Sequence, residues 1–153
     1  MLRVSALMPV RNDQAQVGAA IHGLVRQTLS DFELIVIDDG STDRTCDIVR
    51  EWAARDARVK LVRLARRLGL GASLNFGMGM CRAPLVAYCP ADAVSDPMRF
   101  ERQCAWLTER PFTALVGGNA RVTDEMGTEV ETLRPPARYE EIRAALVKGE
   151  TLV

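Results

Sequence analysis

The stretch FELIVIDDGSTDRT, residues 32–45, turns from apolar to acidic in one step, between Ile37 and Asp38. Leu34, Ile35, Val36 and Ile37 are consecutive and mostly β-branched, which predicts a buried strand rather than an alternating, half-exposed one. Asp38, Asp39, Gly40 and Ser41 end it abruptly. Asp43 then stands as the cap of a helix, RTCDIVREWAARD, whose apolar stripe is Cys46, Ile48, Val49 and Trp52.

The same grammar extends in both directions. Upstream, RVSALMPV predicts a strand from about Val4 to Met8, stopped by Pro9. A helix follows with Val17, Ala20, Ile21, Leu24 and Val25 on one face and Asn12 or Asp13 as its cap. Downstream, VKLVRL is a third strand, GLGASLNFGMGMCR a glycine-broken helix and APLVAYC a fourth strand. DPMRFERQCAWLTER is a helix opened by Pro97, with Phe100, Cys104 and Leu107 on one face. The β-α alternation predicts an α/β fold, a mostly parallel sheet flanked by helices. Two β-rich runs around DEMGTE, residues 124–129, predict a C-terminal β-hairpin closing the sheet, and PARYEEIRAALVKG a last helix. The final ETLV is an apolar beginning with nothing after it, so residues 1–153 read as one domain cut short.

Composition narrows the function. The formal net charge is zero, so no nucleic-acid partner is expected, although RLARR, residues 63–67, is a local basic patch. Cys46, Cys81, Cys89 and Cys104 form no C-x-x-C pair, and the single histidine, His22, lies in a helical pattern. Buried free thiols in a reducing cytoplasm, rather than zinc or disulfides, are expected. No apolar stretch approaches membrane-spanning length, and the N-terminal apolar part is too short for a signal peptide.

Ligands of open parallel sheets bind outside the carboxyl ends of the strands. Here those ends deliver Pro9, Arg11 and Asn12; Asp38, Asp39, Gly40 and Ser41; Arg66, Arg67, Gly69 and Gly71; and Asp92. Acids without histidine suit a hard cation, Mg2+ or Mn2+, and arginines with glycine-rich backbone suit phosphate oxygens. Together they describe a nucleoside diphosphate. Neither a P-loop nor the G-x-G-x-x-G dinucleotide fingerprint is present.

These residues carry a resemblance. VSALMPVRND, LVRQTLSDFELIVIDDGSTDRT, RLGLGASLNFGM, DAVSDPMRFERQ and VGGNARV together resemble family 2 inverting glycosyltransferases of the Rossmann-like GT-A fold, over almost the whole chain. The resemblance implies transfer of a sugar from a nucleotide sugar, often a UDP-sugar, to a saccharide, lipid or protein acceptor with a divalent metal. Many bacterial members build cell-wall or surface glycans. Pro9 and Asn12 match the motif lining the nucleotide pocket; Asp13 stands where the family usually has glutamate. Asp39 matches the acid contacting the base, against the alternative of an Asx turn. Asp38 supports the turn or the pocket wall. Gly69 and Asn75 match a third motif near the nucleotide, and Arg67 is a phosphate or base neighbour, or else a solvated arginine.

Two departures follow. Where the family reads D-x-D, often D-A-D-D, this chain reads PADA, residues 90–93, so Asp92 alone is left to hold the metal. Asp96 reads as a helix cap rather than a second ligand. The family's catalytic base, an acid in the C-terminal acceptor half, has no match: Glu140 and Glu141 read as a solvated helix face, Glu125 and Glu131 as hairpin residues. The chain therefore reads as a donor-binding half, with a non-catalytic nucleotide-sugar-binding module as the alternative and a GT-A-like nucleotidyltransferase ranked last. A cytoplasmic place, at the inner membrane face for the full-length protein, is expected, and the apolar ETLV would favour homo-oligomers.

Overall fold

The computed structural model describes residues 1–124 and 126–148. The chain divides into two compact units, Met1–Thr108 and Glu109–Val153.

The first unit holds four parallel strands: β1 (Val4–Val10), β2 (Phe32–Asp38), β3 (Val59–Arg63) and β4 (Leu85–Tyr88). Their order is β3-β2-β1-β4. Connecting them are α1 (Val17–Val25), α2 (Thr45–Arg55) and α3 (Leu70–Met78), and α4 (Arg99–Glu109) follows β4. All of β2 is buried, because both faces of the sheet are covered. On one face Ala6, Met8, Leu34 and Val36 meet Ile21 and Leu24 of α1, Val49 of α2 and Phe100 of α4. On the other, Leu7, Ile35 and Ile37 pack with Leu74 of α3. β4 is an edge strand whose Val86 and Tyr88 are each 48% exposed.

β1 does not stop at Pro9; it continues to Val10, with Pro9 opposite Ile37 of β2. Leu7 O accepts the Cys89 N–H, so the odd positions of β1 bond toward β4. The β1–β4 register ends at Leu7 opposite Tyr88, so the N–H that Pro9 lacks would have no strand partner there.

The second unit contains β5 (Ala120–Thr123), β6 (Glu129–Leu133) and α5 (Tyr139–Lys148). β5 and β6 form the expected antiparallel hairpin, but as a two-stranded sheet of their own, so the hairpin does not close the parallel sheet. Glu125 and the ETLV end, residues 150–153, lie outside the described residues. Among the described residues no helix is long and apolar enough to cross a membrane. All four cysteines are free; Cys46, Cys89 and Cys104 are buried.

Candidate functional site

The strand order reverses between β1 and β4: β2 and β3 lie to one side of β1 and β4 to the other. The carboxyl ends of strands at such a reversal are where open α/β sheets bind ligands. A groove of about 220 Å³ lies there, lined by Pro9, Asp13, Gln16, Leu70, Tyr88, Pro90, Ala91 and Asp92. Pro9 and Asp92, expected from sequence at the nucleotide and the metal, thus share one groove.

The loops behind the groove are laced together by polar side chains. Asn12 has φ +57°, and it is the one described non-glycine residue with positive φ. Asparagine tolerates this left-handed conformation because its short polar side chain bonds locally. Its Oδ1 accepts the Thr42 N–H at 2.9 Å, and its own N–H donates to Ser41 Oγ at 3.0 Å. Asp13 N–H donates to Thr45 Oγ1 at 2.8 Å, and Asp13 Oδ2 accepts the Arg11 N–H at 2.6 Å. Neither Asn12 nor Asp13 caps α1; Gln16 holds that position, without a side-chain bond. Arg44 likewise holds the N-cap position of α2, while Asp43 Oδ1 accepts the Thr45 N–H at 3.0 Å.

Asp38 and Asp39 do different work. Asp38 is fully buried; its Oδ1 accepts the Ser41 N–H at 3.0 Å and its Oδ2 the Arg63 Nε–H at 3.2 Å. Burial pushes its pKa up, but hydrogen bonds from Ser41, Cys46 and Arg63 outweigh that and hold it below the ordinary value. Asp39 N–H donates to Val10 O at 3.0 Å, which extends the sheet by one bond. Its carboxylate reaches across to the loop after β3, accepting the Leu68 N–H at 2.6 Å and the Gly69 N–H at 2.8 Å. Gly69, at φ +86°, then opens α3, and its carbonyl accepts both the N–H and the hydroxyl of Ser73. Gly40, at φ +79°, faces the backbone of the same loop: a Cβ there would lie 3.8 Å from Arg67 N. The Arg67 side chain is exposed, as is Asn75 on α3, and neither lines the groove.

Asp92 is exposed on the loop after β4. Tyr88 shares the groove with it, and burial followed by the charge of Asp92 raises the phenol pKa. Asp96 is committed elsewhere: its Oδ1 accepts the Met98 N–H at 2.8 Å and its carbonyl the Arg99 N–H at 3.0 Å, ahead of α4. Pro97 lies in the turn before the helix rather than in its first turn. Among the described residues no three His, Cys, Asp or Glu side chains form a cage for a metal ion. The groove's carboxylates, Asp13 and Asp92, suit a hard cation that arrives with waters and phosphate oxygens as its remaining ligands.

Sequence reasoning found the strand ends, with Pro9, Asp13, Pro90 and Asp92 of the groove wall, and missed the rest of the wall. Gln16, Leu70 and Tyr88 carry no motif signal, because their meeting depends on strand order, which local patterning does not encode.

Comparison with known proteins agrees with this architecture. WbnJ of Escherichia coli, an O-antigen biosynthesis glycosyltransferase, is 30% identical over 135 residues, covering 87% of this chain and 52% of WbnJ. The UDP complex of S. aureus TarS 1–349 superposes with a TM-score of 0.67 at 22% identity, over 72% of this chain and 33% of that one. The mannosyltransferase PcManGT of Pyrobaculum calidifontis, solved with GDP-Man and Mn2+, gives 0.66 at 24% identity, over 80% and 36%. Both share the fold. The chain spans between 27% and 53% of the length of the curated relatives it matches. With residues 5–152 matching the description Glycosyl transferase family 2, the chain belongs to that family.

Proposed function

We propose that this chain is the donor-binding part of an inverting glycosyltransferase that takes a sugar from a nucleoside diphosphate sugar, a UDP-sugar in the first instance. The observation that supports this best is the groove at the β1–β4 reversal, where Pro9, Asp13 and Asp92 meet beside a loop pinned by Asp39. Asn12, Asp38 and Asp39 hold the loops that form the nucleotide's side of the site, with Gly69, Arg67 and Asn75 on the segment they position. Asp92, with Asp13 beside it, would hold Mg2+ or Mn2+, which supplies charge neutralisation for the departing diphosphate. The acceptor, a saccharide, lipid or protein of a bacterial surface glycan, and the catalytic base belong to the whole protein, placed in the cytoplasm at the inner membrane face. WbnJ's part in O-antigen biosynthesis supports the surface-glycan reading.

Calorimetric titration with UDP and GDP, each with and without Mn2+, tests this reading. UDP is expected to bind, more tightly with Mn2+. Asp92→Ala removes the metal-dependent gain alone. Asp39→Ala weakens binding about tenfold with or without metal, because the Leu68 and Gly69 N–H groups lose the acceptor that pins their loop. Failure of every nucleotide to bind, or equal affinity in both variants and the parent, would overturn it.

A second reading, a nucleotide-sugar-binding module without transfer activity, draws on the loss of acids at Pro90 and Ala93 and on the lack of a three-ligand cage among the described residues. It predicts the same affinity with and without Mn2+.

A further inference from the structure

Asp92 sits on a loop that leaves the sheet at Cys89 and enters α4 at Arg99. Its carboxylate accepts no hydrogen bond from a described residue, so its position is set by what holds the loop. The far end is tied to α1 and the residues after it. Gln27, 6% exposed, donates from Nε2 to Asp96 O at 2.6 Å and accepts the Phe100 N–H at 2.9 Å. Thr28 N–H donates to Pro97 O at 2.8 Å. The two ends are then joined by one side chain. Arg99 Nη2 donates to Tyr88 O at 2.9 Å, and Nη1 lies 3.2 Å from Ser95 Oγ and 3.6 Å from Cys89 Sγ. Its Nε–H is steadied by Gln103 Oε1 at 3.3 Å.

We propose that Arg99 is the positioning residue of the Asp92 loop: its guanidinium clasps the loop's first residues to its last and so fixes where Asp92 stands in the groove. The planar fork of the guanidinium is what allows it to reach acceptors on both sides at once, and an ammonium cannot reproduce that span. The role toward a donor rests on reading the groove as a nucleotide site; the clasp does not. Gln27 and Arg99 divide the work. Gln27 anchors the loop to the α1 side, and Arg99 closes it.

Cys89 reports the clasp directly. Its thiol is buried, and burial, only partly offset by the Arg99 charge and hydrogen bond, pushes its pKa to about 11. If Arg99 were only a nearby charge, its removal would raise the thiol pKa further and slow alkylation. If Arg99 holds the loop shut, removal exposes the thiol and alkylation speeds up. The two roles differ in sign.

The test uses Arg99→Met, which keeps much of the side chain's bulk without donors, and Arg99→Lys. Iodoacetamide labelling at mildly alkaline pH is followed per cysteine by peptide mass spectrometry, with amide exchange over residues 89–96. Arg99→Met is expected to label Cys89 about tenfold faster, as local opening becomes easier, with Cys46 and Cys104 unchanged as controls for global unfolding. Arg99→Lys falls between. In titrations with UDP, Arg99→Met loses the Mn2+-dependent gain and keeps the metal-free affinity. Unchanged or slower labelling of Cys89 and unchanged exchange in both variants would overturn the proposal. If all cysteines label faster in Arg99→Met, the Lys variant decides. If the parent protein binds no nucleotide, the donor reading fails, while labelling and exchange still settle the clasp.

Discussion

Glu33, at the second position of β2, is a carboxylate inside the sheet with 2% exposure. It accepts hydrogen bonds from Ser5 Oγ and Lys60 Nζ, each at 2.8 Å, and from Arg82 through the backbone N–H at 3.1 Å and the guanidinium at 3.0 and 2.8 Å. Burial pushes its pKa up, but the bonds from Arg82, Lys60 and Ser5 more than compensate and hold it at about 2. A depressed acid contributes stability that is complete above the ordinary carboxylate pKa and is lost as pH falls through the folded value. The window therefore runs from about 4.5 down to about 2. At about 1.4 kcal/mol per pKa unit the contribution has a ceiling of about 3 kcal/mol, lowered by the solvent around Lys60 and Arg82. Glu33→Gln is expected to lower the unfolding free energy at pH 7 toward that ceiling and to shrink the difference from the parent as pH drops to 2. Urea denaturation across this range checks it; a difference independent of pH would show that the charge is not what matters. The sequence marks Glu33 only as an odd acid in an apolar run, since its partners come from two other strands and a loop.

At the scale of elements, close approach decides what the helices can carry. α3 lies on the sheet through Gly77, where an added Cβ would fall 2.2 Å from Ile37 Cδ1 and 3.2 Å from Leu7 Cδ2. Gly77→Ala is therefore expected to destabilise by roughly 1–3 kcal/mol through overpacking. Ile37→Val removes the methyl that stands in the way, at a cost of about 1 kcal/mol on its own. The double variant should be more stable than the sum of the two singles, as measured by a double-mutant cycle in urea; strict additivity would place the strain elsewhere. The glycines of GLGASLNFGM read from sequence as helix breaks, yet Gly77 is what lets the helix seat on the sheet. Strand and helix identities were legible because periodicity is local. Helix caps were legible only in part: Asp43 does accept the N–H of Thr45, the first residue of α2, but its second oxygen takes the Gln14 N–H from the loop after β1, and the Asp13 carboxylate accepts the Arg11 N–H instead of capping α1. The end of β1 was missed because Pro9 stops a strand only where its N–H has a partner, and β4 has already ended there.

For the whole molecule, the question is where the energy and the site reside. Among the described residues every buried one lies between Val4 and Cys104, and every residue lining the groove lies between Pro9 and Asp92. Nucleotide sites at a strand-order reversal depend only on the strands that reverse and the loops that leave them. Pro9, Asp13 and Asp92, singled out in the sequence, line the groove, whereas the hairpin, read from sequence as closing the sheet, formed a sheet of its own. A polypeptide of residues 1–110, which keeps α4 intact, is expected to unfold in one cooperative transition and to keep the parent's UDP affinity and Mn2+ dependence. Thermal denaturation and calorimetry on that polypeptide measure both. A broad, non-cooperative transition would mean that the later unit completes the core. A cooperative fold that has lost UDP binding would mean instead that residues beyond Arg110 complete the site.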